Sequence, residues 1–123
     1  MTKPYKLVFS ADAELDFELI FDFLFESYLG FDENIETALQ QAEKKTRVIH
    51  ENAIKLAKYP FKGTLHDDLL PGLRHVTINR AIYWFDIVED ESLVRVLAVF
   101  YGGQDHKTKM LTRLLGGAKE KQN

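Results

Sequence analysis

Two runs near the end of this 123-residue chain, AlaIleTyrTrpPheAspIleVal (81–88) and SerLeuValArgValLeuAlaValPheTyr (92–101), limit its fold more than any other segment. Both are rich in β-branched and aromatic residues and read as strands. In the first, Ile82, Trp84 and Val88 fall on one face and Tyr83, Phe85 and Ile87 on the other. A strand that is apolar on both faces has to be covered on both sides. GluAspGluSer (89–92) is short enough to reverse the chain between the two runs, and AsnArg (79–80) does the same for the preceding run LeuArgHisValThrIle (73–78). An antiparallel meander of three strands results, and it needs two covers.

The first cover comes from the front of the chain. TyrLysLeuValPheSer (5–10) alternates as a strand, and the period then changes. Ala13, Phe17, Ile20, Phe21, Leu24 and Tyr28 form a helical stripe, widened by Leu15, Leu19 and Phe23. Ser10 is placed to cap this helix, Asp12 and Glu14 suit its first turn, and Gly30 closes it. Asp32 can cap a second helix, in which Ile35, Ala38, Leu39, Ala42, Ile49, Ala53 and Leu56 repeat at three and four residues until TyrPro at 59–60. Joined by a short link, the two make an antiparallel helical hairpin over Ala11–Tyr59. A polar loop (61–72) leads to the sheet. Asp105 can cap a last helix with Met110, Leu111, Leu114 and Leu115 on its apolar side, before GlyGly at 116–117 and a charged tail, 116–123, expected to fray. The second cover is either this helix or a partner. The expected class is α+β: strand, helix, helix, three-strand meander and short C-terminal helix, with the hairpin packed on an antiparallel-rich four-stranded sheet and residues 1–123 forming one domain.

Charge narrows the function. The net charge is −3 and the sequence pI about 5.8, against a main role in holding phosphates and against direct nucleic-acid binding. Residues 1–43 carry two lysines against ten acidic residues, whereas 105–123 carry five bases against two acids. With no cysteine there is no disulfide framework and no thiolate metal site. The N-terminus lacks the pattern of a signal peptide and no apolar run reaches membrane-spanning length, so a cytoplasmic protein off the membrane is expected.

Candidate catalytic groups are sparse. Tyr101, Asp105 and His106, with Arg74 or Arg80 opposite, could form a small acid–base cluster. The plainer reading, preferred here, makes Tyr101 a core side chain and Asp105 a helix cap. His50 and Glu51 do not share a helix face, and His66 with Asp67 and Asp68 reads as a polar loop. His75 reads as exposed or satisfied locally. No His or carboxylate spacing suits a metal, and no cofactor is expected.

The motifs PheSerAlaAspAla (9–13), TyrPro-x-x-Gly (59–63), ProGlyLeuArg (71–74), TyrTrpPheAspIleVal (83–88) and ValArgValLeuAlaValPheTyrGlyGlyGlnAsp (94–105), in this order, resemble the RelE/ParE superfamily of toxins from type II toxin–antitoxin pairs, over about residues 5–115. The resemblance implies neutralisation by a cognate antitoxin and one of two activities: ParE-like inhibition of DNA gyrase or RelE-like cleavage of messenger RNA on the ribosome. Arg74 matches a basic position of the nucleases. Ile82 stands where their third-strand arginine is expected, Gly103 and Gln104 where a base is expected, and Met110 about where a C-terminal tyrosine would lie. With the acidic balance and the long hairpin, these departures favour the gyrase branch, in which the protein would not be an enzyme; the alternative is a metal-independent endoribonuclease. Arg74, Trp84 and Tyr101 are the expected antitoxin contacts. The basic segment with Lys107, Lys109 and Arg113 is the expected target-binding region.

Overall fold

The computed structural model of the chain describes residues 4–31, 34–102 and 105–122. Its elements are β1 (Lys6–Phe9), α1 (Ala11–Gly30), α2 (Ile35–Asn52), α3 (Ile54–Lys58), β2 (Thr64–Leu65), β3 (Arg74–Ile78), β4 (Ala81–Val88), a 3-10 turn (Glu89–Glu91), β5 (Leu93–Tyr101) and α4 (His106–Gln122). The sheet has the order β1-β5-β4-β3-β2, with β1 parallel to β5 and every other pair antiparallel.

The two-residue turn between β3 and β4 puts Asn79 and Arg80 at positive φ, 49° and 72°, the twist that suits a tight hairpin. It fixes the register Ile78↔Ala81 through Arg74↔Phe85, and so sets His75 opposite Trp84. Between β4 and β5 the register shifts at Trp84/Phe85: Trp84 pairs with Ala98 and Phe85 with Val96, leaving Leu97 as the extra residue. This bulge keeps Val94, Val96 and Val99 on one face although their numbering changes parity, and it turns Leu97 and Ala98 together to the other.

The hairpin lies on the first face. Phe17, Ile20, Leu24, Ala42, Ile49 and Leu56 pack there against Tyr83, Phe85, Val94, Val96 and Val99. Tyr83 is fully buried, and its hydroxyl donates to the Ile49 carbonyl at 2.6 Å, tying α2 to the middle of β4. The second face is covered by α4 and the 66–73 loop, where Leu73, Ile82, Trp84, Ala98 and Met110 form a smaller core.

Four boundaries differ from the sequence reading. The sheet has five strands rather than four, because Thr64–Leu65 pairs with Arg74–His75. Two exposed residues carry no period, and what makes them a strand is backbone pairing next to Gly63. Gly63 has φ 94°, and a Cβ there would collide with the His75 carbonyl, so glycine is required for β2 to approach β3. The second helix is interrupted at Ala53, a buried residue, and α3 then turns Leu56 and Ala57 into the core. Asn34 caps α2, its Oδ1 accepting from Thr37 N at 2.8 Å; the expected cap Asp32 lies outside the described residues. The last helix does not stop at the glycine pair, its backbone remaining helical to Gln122.

Candidate functional site

The sharpest cluster of polar groups lies at the start of α4, on the second face. His66 follows β2, His75 lies on β3 beside Trp84, and His106 is the first residue of α4. The three imidazoles surround the Trp84 indole at ring-centre distances of 4.8, 4.9 and 5.5 Å, and His75 and His106 are 4.7 Å apart. His66 Nε2 and His75 Nδ1 are 2.6 Å apart and share one hydrogen.

Local structure explains the placement. Asp67 Oδ1 accepts from Gly72 N at 2.8 Å, and His66 N donates to the Leu73 carbonyl at 2.7 Å, which closes the 66–73 loop over the sheet. Asp105 caps α4 as its sequence suggests, with Oδ1 accepting from Thr108 N at 3.1 Å and Oδ2 from Thr108 Oγ1 at 2.6 Å. These bonds hold the Asp105 carboxyl below its usual range. The cap aims His106 at the cluster.

Burial, then His106, His66 and Lys107, push the His75 imidazole down to about 4. His66 is pushed down as well, by burial and then by Lys107. Both are neutral at physiological pH, so this pair can exchange and share a proton but supplies little positive charge. Trp84 Nε1 and His106 Nδ1 are buried without a hydrogen-bond partner among the described residues. A metal is a poor fit. Two ligand nitrogens on one tetrahedral zinc stand about 3.3 Å apart, whereas His66 and His75 are at hydrogen-bonding distance; among the described residues no group of three His, Cys, Asp or Glu could hold a metal ion.

A second constellation clamps α4 to α1. Asp16, only 3% exposed, takes two hydrogen bonds from Arg113, both 2.8 Å, and one from Val99 N at 2.9 Å. Its position follows from the sheet: β1 ends opposite Val96, so the β5 backbone beyond it needs other partners. Ser10 Oγ and Arg113 Nη1 both donate to the Leu97 carbonyl, and Asp16 receives the Val99 amide. Next to this clamp, Leu19, Phe23, Phe100, Tyr101, Thr108 and Thr112 line a groove of about 530 Å³ between α1 and α4.

The structure does not bring Arg74, Trp84 and Tyr101 together. Arg74 lies on the hairpin face, its guanidinium over the Phe61 ring and donating to the Phe61 carbonyl at 3.1 Å. Tyr101 is at the opposite end of that face, opposite Ala81, with Arg80 over its ring. Trp84 is on the other face and fully buried, so a partner would reach it only by displacing α4 or the 66–73 loop. Of the target-binding candidates, Lys107 is exposed and 3.9 Å from Asp68, and Lys109 stands over the Phe100 ring. Arg113 is occupied by Asp16, a structural role rather than an open cation. Gly103 and Gln104 lie outside the described residues. Ile82 and Met110 are core.

Sequence reasoning reaches half of the histidine cluster: once Asn79-Arg80 is taken as a two-residue turn, His75 must face Trp84. His66 and His106 carry no such signal, since one depends on a two-residue strand and the other on the docking of α4.

No family model and no curated protein matches the chain. Among solved structures it is similar to the chromosomal ParDE toxin–antitoxin system of P. aeruginosa, with TM-score 0.61 and 17% identity over 80% of this chain and 97% of that one. It is also similar to the RelBE2 toxin–antitoxin complex of Mycobacterium tuberculosis, with TM-score 0.56 and 15% identity over 85% and 98%. These likenesses show that the chain shares the fold of the ParDE and RelBE2 structures.

Proposed function

We propose that this protein is the toxin of a type II toxin–antitoxin pair, neutralised by a cognate antitoxin, and that it acts in the cytoplasm on DNA gyrase rather than on messenger RNA. The observation that carries the choice of target is the chemistry of the α4 face. Metal-free RNA cleavage needs cations around the phosphate as well as an acid and a base. On this face Ile82, Trp84 and Met110 are packed core, His75 is neutral, and the Arg113 charge is spent on Asp16. Lys107, exposed beside Asp68, and Lys109, over the Phe100 ring, give the start of α4 its positive charge, by which an acidic or DNA-bound target would be steered. Among the described residues no helix is long and apolar enough to cross a membrane.

One observation favours the alternative. The His66–His75 pair, with His106 alongside, is a ready proton-transfer unit, and such a unit would serve a ribosome-dependent endonuclease. Parallel assays of gyrase supercoiling and of mRNA integrity on programmed ribosomes separate the two. Inhibited supercoiling, intact mRNA and loss of growth inhibition in the Lys107→Glu/Lys109→Glu variant are expected. Codon-positioned mRNA cleavage abolished by His75→Ala would replace gyrase with the ribosome.

A further inference from the structure

One apolar surface is left uncovered by both cores. On α1, Leu15, Leu19 and Phe23 are 55%, 63% and 51% exposed. Spaced four residues apart, they form one ridge along about 12 Å of helix. The ridge is continuous with the groove between α1 and α4, because Leu19 and Phe23 are also its wall and Tyr101 is on its floor. Three large side chains in one row beside an open groove are the geometry in which an amphipathic helix is received, its anchors at every third or fourth residue.

The border of the ridge says what that helix must carry. Advancing 100° per residue, Asp12, Asp22 and Glu26 fall on the same outward face as Leu15 and Leu19. Helix α1 has no lysine or arginine at all, and Glu18, Asp22 and Glu26 form no ion pair among the described residues. An acidic segment would be repelled from this bank, and a neutral one would leave its charges facing apolar surface.

We propose that the Leu15–Leu19–Phe23 ridge docks an amphipathic helix of the cognate antitoxin in which the apolar stripe is flanked by lysine and arginine. The inference rests on the toxin–antitoxin reading and adds the location and charge of the contact: the antitoxin meets the α1 ridge and not the buried Trp84. Opposite charge along the rim sets register and association rate, while the apolar row holds the complex.

The test titrates the 123-residue chain with the polypeptide encoded beside it. Phe23→Ala and the double variant Asp22→Lys/Glu26→Lys alter only exposed side chains, and circular dichroism checks that both fold. Each is expected to weaken binding at least tenfold, and reversing the antitoxin's facing bases to glutamate should restore the affinity of the double variant. Wild-type affinity in both variants would overturn the location, and a net-acidic docking segment would overturn the charge assignment. A toxin that self-associates, loses that association in Phe23→Ala and binds the antitoxin unchanged would assign the ridge to a second copy of the chain, overturning the proposal. No binding by the wild type, from a neighbour that also fails to neutralise growth inhibition, would overturn the pairing itself and this proposal with it.

Discussion

The two faces of the sheet are built on different principles. Against the hairpin, Tyr83, Phe85, Val94 and Val96 meet helix side chains that are almost all hydrocarbon, and the polar tie across that core, the Tyr83 hydroxyl on the Ile49 carbonyl, is satisfied. Against α4, Trp84 is ringed by three imidazoles, and two buried nitrogens lack partners among the described residues. The first face holds by burial of apolar surface. The second joins a smaller apolar core to a titratable cluster, so its stability depends on conditions in a way the first does not.

Truncation of one fully buried aromatic on each face gives the largest expected effect. Phe85→Ala opens a cavity among hydrocarbon neighbours that cannot be filled by water, and should cost about 4–5 kcal/mol. Trp84→Ala removes more volume, but its neighbours carry imidazole nitrogens that can hold water, and it relieves the unpaired indole N–H; about 3 kcal/mol is expected. Urea unfolding of both variants measures the difference. A Trp84→Ala cost equal to or above that of Phe85→Ala would mean that the second face is as purely apolar in its energetics as the first.

Next comes the clamp that joins the faces. Asp16→Ala leaves the Arg113 guanidinium without its carboxylate and the Val99 amide without an acceptor, and breaking a buried pair in this one-sided way typically costs about 3–5 kcal/mol. Arg113 is 26% exposed in its side chain and can recover water, which brings the expected loss to about 2–3 kcal/mol. Exchange of the α4 amides should rise more than exchange of the α2 amides. Uniform loss of protection would show that the clamp supports the whole domain rather than the second face.

The contrast between the faces also marks how far sequence reasoning reaches. The hairpin, the meander, the Ser10 and Asp105 caps and the need for two covers are all written in hydrophobic period and turn chemistry, which act over a few residues. Asp16 is one of six acids on α1 and nothing local sets it apart, yet it is buried, because its role is decided by the early end of β1 and by an arginine 97 residues away. The Arg113 partner is equally remote, so its place in a basic segment does not disclose the pairing with Asp16. Trp84 on an apolar strand could be assigned to a core, but which elements cover it depended on the docking of α4. The residues whose roles sequence does not disclose are those whose partners lie far along the chain.

The smallest effect is the most diagnostic of the second face. The folded protein holds His75 neutral down to about pH 4, whereas the imidazole of an unfolded chain takes up a proton near 6.5. Between these values the unfolded state binds more protons, so stability is complete above about pH 6.5 and falls as the pH drops toward 4. The charged and titratable groups that act on His75 are His106, His66 and Lys107. Protonation of the cluster sets like charges against one another and against Lys107, with Asp68 opposing at His66. His75 is only partly buried, so solvent screening reduces the full linkage, and about 1–2 kcal/mol should be lost from pH 6.5 to 4.5. His75→Gln keeps a polar side chain beside Trp84 without the titration, so its pH profile should be flatter than the wild type's by that amount. Parallel profiles for His75→Gln and the wild type would remove the imidazoles as the source of pH dependence and leave the two faces distinguished by packing alone.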